Sequence, residues 1–483
     1  MSTGLAGLGT SRRGTSSLRS KAVALALLLL ACVPGAGADE PPWSERVLVD
    51  PLPWSRLDGL EPEVLLARGE ILFRGRFTTA DGAGRPLATQ AIVPTERRRP
   101  AEHRMQRLAG PDAASCAGCH HDPVVGGAGD FASNAFVSEG FTSADFDNLD
   151  PQFSNERITP HLFGSGLIEL LAREMTADLQ AQRRSALVEA RTKGESVRVP
   201  LASKGVDFGR LTAHPDGRVD LDGVEGIDAD LVLRPFGHKG VFPSLRHFTV
   251  TALNAHHGIQ PSERFGARWT GTDDFDGDAV IDEIGPADVT ALVAFQAGLA
   301  PPTRLQPEDP RWRTAARQGE ALFDAFGCAS CHRPSLPLET LVFAEPGPFN
   351  PAGTLRRGDV AEPWRLDLAV LDWAETLRRD ADGRVLVPLF SDLKRHVIAD
   401  VQVDTLGNET LAQRFVERDV FKTRPLWGVA STAPYGHRGD LSTLDEVIRA
   451  HGGDARPAQR AYTAASEAER QSLIAFLRTL VIP

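Results

Sequence analysis

The sequence predicts a mainly α-helical protein made of two units of one kind, the amino-terminal one enlarged by insertions. Three observations predict it. One five-residue pattern occurs twice, as Cys116-Ala117-Gly118-Cys119-His120 and as Cys328-Ala329-Ser330-Cys331-His332. A second echo precedes each copy, Gly69-Glu70-Ile71-Leu72-Phe73 and Gly319-Glu320-Ala321-Leu322-Phe323. Apolar residues at helical spacing lie on both sides of the second copy.

Cys-x-x-Cys-His is the attachment signature of haem c: both thiols add to the vinyl groups, and the histidine reaches the iron. Thioredoxin-like redox pairs and half zinc sites also use Cys-x-x-Cys, but zinc needs four ligands close together. A histidine follows both pairs here, in a chain with an export signal, which favours two covalently bound haem c groups. Cys116, Cys119, Cys328 and Cys331 would hold them, with His120 and His332 as proximal iron ligands. Four of the five cysteines are thereby used.

In chain order, residues 1–38 read as a signal peptide: basic residues, the apolar run Ala22 to Ala31, then the small-residue site Ala36-Gly37-Ala38. Leu29-Leu30-Ala31-Cys32 competes as a lipoprotein signal ending before Cys32. The expected location is the periplasm, with a membrane anchor only if Cys32 is lipidated. Residues 45–300 form the expected amino-terminal haem domain. Its start is less sharply marked, because an insertion separates its Gly-Glu echo from its haem motif. Pro301-Pro302-Thr303-Arg304-Leu305-Gln306-Pro307 reads as a linker. Residues 308–483 form the second domain. Thr314 to Phe326 is expected to be a helix, with Ala315, Leu322, Phe323 and Phe326 at helical spacing, and it runs directly into Cys328. A class I cytochrome c domain begins this way. Glu467 to Leu480 is expected to be its second helix, with Leu473, Leu477 and Leu480 on one face. The net charge of -11 argues against nucleic acid and anionic membranes. It suits a basic electron-donor partner.

The carboxyl half resembles the bacterial di-haem cytochrome c peroxidase and MauG superfamily, and within it the di-haem oxidoreductase (putative peroxidase) branch. The resemblance is carried by Phe421-Lys422-Thr423-Arg424-Pro425-Leu426-Trp427-Gly428-Val429-Ala430, by Thr432-Ala433-Pro434-Tyr435-Gly436-His437, by Thr443-Leu444-Asp445-Glu446 and by His451-Gly452-Gly453. A looser match runs through Pro235-Phe236-Gly237-His238-Lys239-Gly240, Pro243-Ser244-Leu245-Arg246 and His256-His257-Gly258-Ile259-Gln260. This chain reads Tyr435-Gly436-His437-Arg438-Gly439-Asp440 where the superfamily usually has Tyr-x-His-Asp-Gly-Arg, so acid and base have exchanged places.

The resemblance implies ligands. The peroxidases carry a methionine fourteen residues after the loop histidine; fourteen after His437 stands His451. The only methionines are Met1, Met105 and Met175, so His/Met ligation is not expected at the second haem. His332 and His451 are therefore expected as a bis-histidine pair. His437 competes as a ligand, or as a loop histidine bonded to a haem propionate. His256 is the first candidate for the far side of haem 1. Trp427 is expected beside haem 2.

Peroxide cleavage also needs a group that moves a proton between the two oxygens. Glu169 is the expected carboxylate, against a plain helix-start glutamate. Asp274-Phe275-Asp276-Gly277-Asp278-Ala279-Val280-Ile281-Asp282 resembles a calcium loop, although it departs from EF-hand spacing. Asp274, Asp276, Asp278 and Asp282 are the candidate ligands, against a solvated acidic turn.

The expected activity is that of a di-haem peroxidase. It would reduce hydrogen peroxide to water with electrons from a small donor, such as a cytochrome c or cupredoxin, received through haem 2. A di-haem electron carrier and a MauG-like oxidase of an organic or protein substrate are the alternatives.

Overall fold

A computed structural model describes residues 43–84, 86–88, 96–98, 101, 104–107, 110–111, 113–130, 132–137, 154–409 and 413–483. The expected export signal and Cys32 lie outside these residues. Residues 45–483 make one compact unit.

The longer helices are α1 Pro62–Arg74, α2 Ser165–Lys193, α3 Leu245–Ala252, α4 Pro286–Gly298, α5 Pro310–Ala325, α6 Leu444–Arg449, α7 Arg456–Ala464 and α8 Glu467–Leu477. Their ends follow local chemistry. Pro310 starts α5 behind Asp309, whose carboxylate accepts from the Arg311 N–H. Ser466 and Glu469 form a reciprocal capping box at the head of α8. The expected helices over 314–326 and 467–480 are present with shifted ends.

The sequence echo has a structural counterpart. α1 crosses α4, and α5 crosses α8, each at the glycine of its Gly-Glu pair. A Cβ on Gly69 would sit 2.0 Å from the Ala291 carbonyl oxygen; one on Gly319 would sit 1.9 Å from that of Ser472. Only glycine lets the backbones approach so closely. Four residues on, Phe73 packs on Phe295 at 5.1 Å and Phe323 on Phe476 at 5.5 Å between ring centroids. The same phenylalanines face the motif histidines, His120 at 6.1 Å and His332 at 6.5 Å.

Both expected domains hold short antiparallel strands that no alternation in the sequence had announced. We number those used below β1 Ala132–Val137, β2 Ser154–Ile158, β3 Val197–Ser203, β4 Val206–Ala213, β5 Val219–Asp220, β6 Thr303–Arg304, β7 Leu336–Leu338, β8 Val342–Glu345, β9 Trp364–Asp367, β10 Val385–Val387, β11 Arg395–Val397, β12 Val420–Lys422 and β13 Leu480–Val481. β1 pairs with β2, β3 with β4, β4 with β5, β7 with β10, β8 with β9, and β11 with β12. The expected linker is not free chain. Thr303 pairs with Val481 and Arg304 with Leu480, so β6 is pinned to β13 by backbone hydrogen bonds.

One large apolar core runs from Leu48 through α2, β4, α3 and α4 to β7–β10 and Trp427. It joins residues from both sides of the 301–307 segment. A smaller core, built on Phe323, Leu473, Phe476 and Tyr462, belongs to α5, α7 and α8. Among the described residues, no helix is long and apolar enough to cross a membrane.

Candidate functional site

Each Cys-x-x-Cys starts a short helical turn, Cys116–Gly118 and Cys328–Ser330, which delivers the following histidine inward. The four described cysteines form no disulfide. His120 Nδ1 lies 3.3 Å from the Gly127 carbonyl oxygen, and His332 Nδ1 lies 3.2 Å from that of Phe390. A carbonyl at Nδ1 fixes the tautomer and leaves Nε2 as the ligand atom. Burial lowers the pKa of both to about 4, so both rings are neutral, as a metal ligand must be.

The second motif opens on a cavity of about 420 Å³. Phe323, Phe326, Leu426, Leu444 and Leu477 supply apolar wall, while Cys328, Cys331 and His332 line one side. His451 lines the cavity as well. Its Nδ1 bonds the Val447 carbonyl oxygen at 2.6 Å, and its ring centroid lies 6.5 Å from that of His332. Two imidazoles on opposite sides of one metal, with bonds of about 2.0–2.1 Å, place their centroids about 6–6.5 Å apart.

Two cations line the same cavity. Lys422 is buried and Arg424 half-buried, and neither forms an ion pair among the described residues. Burial, with Arg424 beside it, lowers Lys422 to about 7; burial alone lowers Arg424 to about 10. Trp427 Nε1 is buried without an acceptor. Cations in an apolar cavity call for anionic groups from a ligand. An apolar macrocycle with acid side groups meets the demand, and the residues fit a haem. Signals for these cations were in the sequence: Lys422 and Arg424 stand in a mostly apolar run with no acid between them.

Trp427 also reaches the first motif. Gly164 and Gly428 adopt left-handed backbone, φ 78° and 80°, in the similar runs Leu162-Phe163-Gly164 and Leu426-Trp427-Gly428. A Cβ on Gly164 would strike the Trp427 ring at 2.5 Å, and one on Gly428 would meet His161 Nε2 at 3.2 Å. His161 Nε2 bonds the Trp427 carbonyl oxygen at 3.1 Å. The backbone just before His161, at Pro160, hydrogen-bonds His120, as Arg424 does His332. The loops behind the two motifs therefore back onto each other through His161 and Trp427.

Other expected residues fall elsewhere. Glu169 is buried on α2, accepts from Arg173 at 2.6 Å and from the Leu245 N–H at 2.7 Å, and does not line the cavity. Both of its oxygens are engaged, in an ion pair with Arg173 and on the Leu245 N–H. His437 lines the cavity, but its Nε2 lies 3.3 Å from Glu409, and its ring packs on Phe421. Burial, with Arg157 next, lowers its pKa to about 2. Glu409 also pairs with Arg157 and, at 3.3 Å, with Lys239. Glu409 stands in no motif, so nothing in the sequence marked it.

At the first motif, His256 is half-buried within the turn Leu253–His257. It is His257 whose Nε2 comes within 3.5 Å of Cys116 Sγ, while its Nδ1 bonds the Ala113 carbonyl oxygen at 2.6 Å. In the acidic loop, ligand atoms of Asp274, Asp276 and Asp278 lie within 4.8 Å of one another. Asp282 is outside this trio and exposed, because the chain turns away there with its N–H on the Asp273 carbonyl.

No curated protein sequence matches the chain. Among solved structures, hydrazine synthase of Kuenenia stuttgartiensis, pressurised with xenon, aligns at 14% identity and a TM-score of 0.36, covering 98% of this chain and 100% of that one. A MauG-like protein associated with microbial copper homeostasis aligns at 17% identity and a TM-score of 0.26, covering 55% and 77%. Both likenesses are distant. Residues 378–480, which carry β11, β12, Trp427 and His451, match the family described as di-haem oxidoreductase, putative peroxidase. The family match spans this carboxyl-terminal segment, about a fifth of the chain, and within it the chain is similar to di-haem oxidoreductases.

Proposed function

We propose that this protein is a periplasmic di-haem c-type peroxidase. It takes two electrons from a small donor protein and reduces hydrogen peroxide, with two protons, to two molecules of water. Both haems are covalently bound, through Cys116 and Cys119 and through Cys328 and Cys331. Bound haem supplies the redox chemistry at a metal that the protein tunes through its axial ligands.

The observation that carries this reading is the asymmetry of the two motif histidines. His332 faces His451 at 6.5 Å with both Nδ1 atoms held by carbonyls. Such a pair closes both axial positions, which suits electron entry and a low potential. At the first motif His257 is engaged by its neighbours, with Nε2 3.5 Å from Cys116 Sγ and Nδ1 on the Ala113 carbonyl oxygen. That arrangement supports an open reacting position at haem 1. Trp427 and His161 fill the space between the loops behind the two motifs and exclude water from it. Lys422 and Arg424 hold negative charge in the cavity of haem 2. The acidic net charge supports a basic donor, and the amino-terminal sequence supports export.

The test is EPR of the fully oxidised and half-reduced holoprotein, together with peroxide turnover using a reduced small cytochrome c. One low-spin signal, with a second high-spin signal that peroxide removes, is expected. Two low-spin signals in both states, with no turnover, would leave an electron carrier instead.

A further inference from the structure

A path of bonds leaves each motif histidine, and the two paths meet at one side chain. On the first side, His120 hydrogen-bonds the Pro160 carbonyl as well as that of Gly127. The chain around Pro160 is tied to the loop behind this motif. The Gly129 N–H donates to the Thr159 carbonyl at 3.3 Å, and the Leu162 N–H to the Gly126 carbonyl at 2.8 Å. On the second side, His332 hydrogen-bonds the Arg424 carbonyl, and Trp427 follows in the same run of chain. His161 closes the gap. It is joined to Pro160 by a peptide bond, and its Nε2 donates to the Trp427 carbonyl at 3.1 Å. Its Nδ1 is buried without a hydrogen-bond partner, so Nε2 alone anchors the ring. His161 also lines the haem 2 cavity.

An electron crosses protein best along bonded atoms, because orbital overlap falls steeply across an empty gap. A hydrogen bond counts as a short step, since it brings two heavy atoms to about 3 Å. From His120 through Pro160, His161 and Trp427 to Arg424 and His332, every junction is covalent or a hydrogen bond. The Trp427 indole offers a poorer crossing. Its Nε1 has no acceptor, and it meets the amino-terminal half by packing on Gly164.

We propose that His161 conducts the electron that passes from haem 2 to haem 1. The step oxidises the haem 2 iron from ferrous to ferric and reduces the haem 1 iron from ferric to ferrous. One electron moves, and no bond forms or breaks. The assignment rests on the di-haem reading above, in which haem 2 receives electrons and haem 1 reacts.

The test uses the haem-loaded holoprotein. Pulse radiolysis delivers one electron, absorbance follows its redistribution between the haems, and potentiometry gives both potentials in the same samples. His161→Phe keeps an aromatic ring and removes the bond to the Trp427 carbonyl. It is expected to slow redistribution by an order of magnitude or more while both potentials stay at their wild-type values. A packing role alone would not single out the rate. His161→Gln, whose amide can donate to the same carbonyl, is expected to keep most of the wild-type rate. Equal rates in wild type and His161→Phe would overturn the proposal. So would a rate lost in Trp427→Phe and kept in His161→Phe, which would give the path to the indole. Should His161→Phe not accumulate with both haems, His161→Leu with the same readouts decides in the same way. Peroxide turnover is measured separately. Wild type that redistributes the electron through His161 without reducing peroxide would sink the peroxidase reading and leave this assignment standing; wild type with no redistribution would overturn the assignment.

Discussion

His451 is one imidazole with two distinct nitrogens, and the structure assigns a task to each. Val447 holds Nδ1, so Nε2 faces His332. Replacing His451 with Ala removes one axial ligand and leaves the core intact. Haem 2 is expected to turn from low-spin to high-spin, read by EPR, and an unchanged low-spin signal would exclude His451 as the ligand. Arg424 acts through charge. Its guanidinium stabilises the reduced, less positive iron, so Arg424→Met should lower the haem 2 potential, by on the order of tens of millivolts. Potentiometry reads the shift, and a rise would contradict it. His396 titrates. Burial lowers its pKa, but hydrogen bonds to Asp392 and Cys331 outweigh burial and push it up to about 10. A raised folded pKa adds stability that is complete below the unfolded value near 6.5 and is lost as pH rises through the folded one. The stability difference between wild type and His396→Gln should therefore be constant in acid and shrink between pH 6.5 and 10. Once Cys331 is a thioether, Asp392 at 2.8 Å and Asp454 at 3.7 Å keep the pKa raised, and the window closes at lower pH. Denaturant titrations at several pH values check this; a difference that grows with pH would contradict it.

At the scale of elements, two helix crossings organise the haem motifs. Gly319 sits where α5 meets α8, and any Cβ there meets the Ser472 backbone, which cannot move aside as a side chain could. Gly319→Ala should cost on the order of 1–3 kcal/mol, seen as a lower denaturant midpoint. It should also displace Phe323 from His332. Gly327, with open space at its Cβ, differs: its left-handed φ of 85° strains any other residue, but no clash adds to the strain. Gly327→Ala is therefore expected to cost less than Gly319→Ala.

For the whole molecule, a buried ion network ties the 336–393 segment to the amino-terminal half. Arg246 on α3 pairs with Glu263 at 2.9 Å and with Glu345 on β8 at 3.3 Å, and Arg173 on α2 reaches Glu169 and Glu345. Removing one member of a buried set leaves charges uncompensated. Glu345→Leu should cost about 3–5 kcal/mol. Because the large core spans the 301–307 segment, the loss should appear in one cooperative transition, with haem absorbance and circular dichroism changing together. Separate transitions for the two signals would show that the halves unfold independently.

Sequence by itself determined what is local. Both Cys-x-x-Cys-His motifs and the helices around the second one are read from neighbouring residues, while His451 was singled out by what the family resemblance implies. Covalent chemistry and helical periodicity are written over a few positions. Only the tertiary structure decided what depends on distant chain coming together. It engaged Glu169 with Arg173 and Leu245, set Glu409 against His437, joined Trp427 to His161, and left Lys422 and Arg424 in the cavity without acidic partners. It also pinned the expected linker to the last strand and drew one core across the expected domain boundary. A charge's role depends on its partner and its burial, and both are fixed by residues hundreds of positions away.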